Sequence, residues 1–109
     1  MDINNYISES FKPKEPMITE EQRLELKSLL IEAGKAHHHA FLDTDGDDPE
    51  WPLWYAEFIH EKTMDILELE ITKSELTYLL VAADLEHREE STDTPWADFY
   101  TSFFSESLS

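Results

Sequence analysis

Two stretches of the chain carry the same apolar pattern 50 positions apart. Leu26, Leu29, Leu30, Ala33 and His37 are answered by Leu76, Leu79, Leu80, Ala83 and His87, and Ile31 is answered by Val81. Spacings of three and four put such residues on one face of an α-helix. Each stretch is followed by acidic residues, a proline and an aromatic segment, so that Trp51, Trp54, Tyr55 and Phe58 correspond to Trp96, Phe99, Tyr100 and Phe103. The connections differ in length: His37 to Trp51 is 14 positions and His87 to Trp96 is 9, with the surplus around an Asp-Thr-Asp-Gly-Asp loop at residues 43–47. The pattern predicts two copies of one helical hairpin, neither of which buries its apolar face alone. Together they predict an all-α fold, a four-helix up-down-up-down bundle with both hairpin loops at one end.

The local signals mark the helix ends. Thr19 with Gln22 three residues later forms a capping box, which opens a helix over residues 20–41. Its stripe continues through Ala40 and Phe41, and a narrower second stripe holds Leu24, Ile31, His38 and Leu42. A second helix is expected over residues 49–69, with Asp48 as N-cap, Pro49 as first helical residue and Pro52 still in the first turn. It is apolar on two sides: Trp51, Trp54, Tyr55, Phe58, Ile66 and Leu69 on one, and Leu53, Ala56, His60, Met64 and Leu67 on the other. A helix of that kind is central or touches something beyond its own bundle, so a homodimer is expected. Thr72 with Glu75 makes a second capping box for a helix ending near residue 89, and Pro95 after Thr94 opens a fourth that frays near Leu108. Residues 1–18, interrupted by Pro13 and Pro16 but carrying Ile3, Tyr6, Ile7 and Phe11, are expected as a leader along the surface of a helical domain at 19–109.

Composition narrows the function. With 109 residues the chain fits one domain. It has 8 basic and 25 acidic residues, a net charge of −17, yet 40% hydrophobic and 12% aromatic residues are too many for a disordered acidic tail. The absence of cysteine excludes disulfides, thiol catalysis and cysteine-ligated metals. No apolar run reaches the roughly 20 residues of a membrane span. No basic segment followed by an apolar stretch marks a signal peptide. Nucleic acid is an unsuitable partner, because phosphates need a basic patch. Residues 43–70 hold ten acids and one base, Lys62, a surface suited to a basic protein partner.

The repeat brings His37, His87, Trp51, Trp96, Tyr55 and Tyr100 to one pole with the acidic loop, and these six are the candidate ligand-binding residues. The histidines admit two readings. In one, His37 and His87 form a metal or acid/base pair, which imidazole chemistry suits. In the other, each lies near a helix C-terminus, where the dipole favours it, and donates to free carbonyls or to a tryptophan-lined layer. His37, His38 and His39 lie about 100° apart around a helix and cannot all reach one ion. Glu57-x-x-His60 and Asp84-x-x-His87 resemble half of a di-iron carboxylate site, but no acidic residue interrupts the core stripe of the first helix. The loop starts like a calcium-binding loop, but Asp48 and Trp54 stand where glycine and glutamate are required. No glycine-rich phosphate loop or complete catalytic constellation is present, and neither metal nor cofactor is identifiable. The expected function is a non-enzymatic protein-interaction or regulatory module. The alternative is a small-ligand or metal-binding protein, with or without catalysis, whose site lies at the loop pole.

The stretch His37-His-His-Ala-Phe41 followed by Thr44-Asp-Gly-Asp-Asp-Pro-Glu-Trp-Pro-Leu-Trp-Tyr-Ala56 resembles a family of short bacterial proteins with the motif HHxAF…TxGxDPxWPxWYA. The resemblance covers residues 35–58. It implies a bacterial, cytoplasmic protein and carries no activity with it.

Overall fold

A computed structural model describes residues 18–90 and 93–108. Among them are four α-helices and no strand: α1 at Glu20–Ala40, α2 at Trp51–Leu67, α3 at Lys73–Glu90 and α4 at Trp96–Ser107, with a single 3-10 turn at Leu42–Thr44. The expected leader lies outside the described residues except for Ile18, which is buried. Each helix packs on two others, α1 and α3 both lying against α2 and α4. The result is the expected four-helix bundle, with α1 diagonal to α3 and α2 diagonal to α4.

The repeated stripes form the core. Leu26, Leu30 and Ala33 of α1, and Leu76, Leu80 and Ala83 of α3, are all fully buried. Removing each leucine from water contributes about 1.5–3 kcal/mol. Both capping boxes are formed. Gln22 N donates to Thr19 Oγ1 at 3.1 Å and Thr19 N donates to Gln22 Oε1 at 2.8 Å. Glu75 N donates to Thr72 Oγ1 at 3.0 Å and Thr72 N donates to Glu75 Oε1 at 2.9 Å. Through its other amide atom Gln22 also donates to the Ile66 carbonyl, so the same side chain that starts α1 ties it to α2.

Three expectations are corrected. The first helical residue of α2 is Trp51 and its N-cap is Glu50, two positions later than expected. Asp48 instead accepts from Glu50 N through Oδ1 and so folds the turn that carries Pro49. Likewise Pro95 is the N-cap of α4 rather than its first residue. The second correction concerns α2. Its buried residues are Ala56 and Leu67, both from the second expected side, together with Ile59 and Thr63, which lie between the two sides. Trp51, Tyr55, Phe58, Met64, Ile66 and Leu69 are half-buried against the core from either flank. Long side chains thus cover the seams to both neighbouring helices, and what looked like two faces is one broad face; Leu53 alone on it is a large exposed hydrophobic, at 57%. Third, the buried stripe of α1 ends at His37: Ala40 is exposed, as are Leu24, Ile31, His38 and Leu42 of the narrower second stripe.

Candidate functional site

The loop pole is built by the way α1 ends and α2 begins. Phe41 N donates to the His37 carbonyl, and Gly46 N returns to the Phe41 carbonyl at 2.8 Å. Asp45 and Gly46 both take positive φ, 56° and 84°, which folds the five-residue surplus back onto the helix end. Gly46 serves here twice: its φ disfavours a side chain, and a Cβ would stand 3.2 Å from His38 Nδ1. Thr44 Oγ1 donates to the Asp47 carbonyl at 2.8 Å and lies 3.2 Å from that of Phe41, which closes the loop.

This fold-back delivers Asp48 to His37. His37 Nε2–H donates to Asp48 Oδ2 at 3.0 Å, and His37 is only 6% exposed. The imidazole stacks on Phe41 at 4.7 Å and meets Trp54 edge-on at 5.1 Å. With both oxygens of Asp48 bonded, one to His37 and one to Glu50 N, the loop is fixed to the bundle.

Beside that pair opens a cleft of about 310 Å³, lined by His37, Gly46, Asp47, Asp48, Trp51, Tyr55, Asp84, Trp96 and Tyr100. Every helix and the first connection contribute. The four aromatic rings meet nearly at right angles: Trp51 with Tyr55 at 5.5 Å and 85°, Tyr55 with Trp96 at 6.5 Å and 84°, and Trp96 with Tyr100 at 5.5 Å and 83°. Such edge-to-face packing stabilises each pair by about 0.5–1.5 kcal/mol beyond burial. Gly34 of α1 is what admits Trp96: a Cβ there would come within 3.0 Å of the indole Cζ2.

Asp84 sits at the position of α3 that matches Gly34 in the repeat. Its carboxylate accepts from the Tyr100 hydroxyl at 3.2 Å and pairs with Arg88. Burial first, and then the negative charge of Asp84, push the Tyr100 phenol well above the usual tyrosine range. Burial alone raises Tyr55. Both phenols are therefore neutral throughout the neutral pH range.

Five of the six residues expected at the pole line this cleft: His37, Trp51, Tyr55, Trp96 and Tyr100. His87 does not. It is half-buried, tilts on Phe99 at 4.8 Å and donates Nε2–H to the Thr94 carbonyl at 2.8 Å. With the shorter second connection, His87 meets the backbone just before α4 instead of an aspartate, and it stays outside the cleft. Sequence reasoning missed Asp84, and it placed Asp48 at the pole only as part of the loop and an N-cap, not as the partner of His37. Asp84 carried a signal, as the one charged residue opposite a glycine across the repeat.

The metal motifs are otherwise engaged. Glu57 forms an ion pair with Lys73 at 2.7 Å, and His60 Nε2–H donates to the Ile71 carbonyl at 2.7 Å. Among the described residues no group of three or more histidine, aspartate or glutamate side chains is placed to hold a metal ion. No described helix is long and apolar enough to cross a membrane. No family model matches the chain, and no curated protein or solved structure matches it either.

Proposed function

We propose that the chain is a non-enzymatic binding module whose site is the cleft at the loop pole, and that the cleft takes a cationic group. The carrying observation is the set of four near-perpendicular rings from α2 and α4 with the carboxylates of Asp84 and Asp48 beside them. Aromatic faces attract cations, each ring contributing about 0.5–2 kcal/mol depending on desolvation. A volume near 310 Å³ stands at the small end of ligand pockets, which suits a head group or a side chain rather than an extended molecule. The surroundings favour the same sign of ligand. The net charge is −17, which draws cations and basic partners toward the molecule. His37 and Asp48 bond to each other, and the hydroxyl of Tyr100 is committed to Asp84. Their part is to hold the walls in place, not to react.

The test is titration of the protein with a small organic cation, followed by calorimetry and tryptophan fluorescence. Trp51→Ala and Trp96→Ala are each expected to weaken binding by roughly tenfold, the loss of about 1.4 kcal/mol from one ring. Their far-ultraviolet circular dichroism should match that of the parent, since Trp96 is exposed and Trp51 is only half-buried at the edge of the core. Unchanged affinity in both variants would refute the site.

A further inference from the structure

We propose that the ligand of the cleft is a small zwitterion, whose cationic end occupies the cleft while a carboxylate at the other end of an apolar spacer is received outside it by Lys35. This rests on the reading of the cleft as a cation site and goes further, because it concerns a second depression that shares an aromatic wall with the first.

The second depression holds about 550 Å³, and Gly34, Lys35, His38, His39, Tyr55 and Trp96 are among the residues that line it. Tyr55 and Trp96 line the first cleft as well, so the two are neighbours across those rings. They meet again at the loop. Gly46 lines the first, and His38 Nδ1, from the second, lies 3.2 Å from the place a Gly46 Cβ would take. The two sides are opposite in charge: Asp47, Asp48 and Asp84 line the first, whereas the described lining of the second holds Lys35 and no acidic residue. Lys35 stands apart in another way. Arg23, Lys27, Lys62, Lys73 and Arg88 each form an ion pair, and Lys35 is the one lysine or arginine among the described residues that does not. The repeat shows why. In α3, Asp84 pairs with Arg88 one turn on, but the matching positions of α1 are Gly34 and His38, so the carboxylate is missing there. Glu32, three positions before Lys35, pairs with Lys62 of α2 instead, at 3.3 Å. The ammonium of Lys35 is thus left to meet an anion from outside. On the same side the Trp96 indole, 38% exposed, and Ile31 offer apolar surface to a spacer. The net charge of −17 opposes any anion at long range. A carboxylate added to an amine should therefore weaken its binding unless a local positive group receives it, so the sign of the effect reports on Lys35.

The experiment is calorimetric titration of the full chain with γ-aminobutyrate, δ-aminovalerate and ε-aminocaproate, each beside its carboxamide. The amide keeps the ammonium and the spacer and removes the negative charge, and the three lengths search the span between the two sides. At least one of the amino acids is expected to bind roughly three- to fivefold more tightly than its amide, the gain of one ion pair at an exposed lysine. Lys35→Gln is expected to abolish that excess while leaving the amide within roughly twofold, since the ammonium end is held elsewhere. Lys35→Glu should invert the preference, so that the amide binds more tightly than the amino acid. Lys35 is exposed, and circular dichroism of both variants should match the parent. Amides that equal or exceed the amino acids at every length would overturn the proposal and leave the cation cleft standing. An excess that survives Lys35→Gln would overturn it too, because the carboxylate would then be received by another group. Absence of binding by every probe, amides included, would overturn both the proposal and the cation reading.

Discussion

The two hairpins share a core and differ at the pole. Leu30 and Leu80 are equally buried, as are Ala33 and Ala83. The ladder of Trp51 on Tyr55 is reproduced by Trp96 on Tyr100 with the same 5.5 Å separation and nearly the same angle. Where the copies diverge, the site appears. The first hairpin has a longer connection that returns Asp48 to a buried His37, and a glycine at position 34 that opens α1 to Trp96. The second hairpin has a short connection, a half-buried His87 bonded to backbone, and Asp84 in the glycine's place. The first copy thus makes room for Trp96 and brings Asp48 to the cleft, and the second brings Asp84.

The largest effect tests the shared core. Leu30→Ala and Leu80→Ala should each cost about 2–5 kcal/mol, since both leave a cavity in a fully buried layer. Urea unfolding of the two variants would check it. Costs that agree within about 1 kcal/mol sharpen the equivalence, and a gap of several would break it.

A smaller effect separates the histidines. His37→Ala should destabilise the fold by about 1–3 kcal/mol, because Asp48 loses the donor to a nearly buried oxygen. His87→Ala should cost less, about 0.5–1.5 kcal/mol, since its lost partner is a carbonyl that water can reach. Thermal melts of both variants decide the matter, and equal losses would mean that the buried pair adds nothing beyond an ordinary loop tie.

The smallest effect concerns the two cleft tyrosines at high pH. Tyr100 is raised by burial and by Asp84, Tyr55 by burial alone. In a spectroscopic titration, with Tyr55→Phe and Tyr100→Phe as assignments, Tyr100 should ionise after Tyr55. Asp84→Asn should bring Tyr100 down toward it. The folded form keeps its proton where the unfolded chain has lost its own. The stabilisation is therefore complete below the ordinary value of 10.0 and declines as pH rises beyond it. Unfolding curves collected across that range should show the decline, and a weaker one in Asp84→Asn.

One feature common to all three connections was only partly legible. His37 ties the first to α1 through Asp48, His60 ties the second to α2 through the Ile71 carbonyl, and His87 ties the third to α3 through the Thr94 carbonyl. The expectation that imidazoles near a helix end satisfy free carbonyls describes His87 well. It failed for His37, whose partner is a carboxylate brought back by the loop. It was not applied to His60, which lies mid-helix and reaches the next turn only once α2 and α3 are packed. Half of the buried stripe of α2, Ile59 and Thr63, was missed for a related reason. Ile59 and Thr63 run between two rows of larger aromatic and aliphatic residues, and size drew attention to the flanks. Thr63 is fully buried and its hydroxyl has no hydrogen-bond partner among the described residues, a position that hydrophobic patterning gives no cause to place in the core.

Helix existence, the capping boxes, the paired leucine stripes and the meeting of the aromatic helices at one pole followed from the residues alone. Each depends on neighbours three or four positions away, or on connections too short for any other topology. Only the tertiary structure decided which histidine is sealed, that Asp84 and Asp48 belong to the site, and that His87 does not. Those outcomes turn on how far a loop folds back and how closely two helices approach. A single missing Cβ at Gly34, or five extra residues before Trp51, changes such distances by several ångströms while leaving the periodicity of the chain untouched.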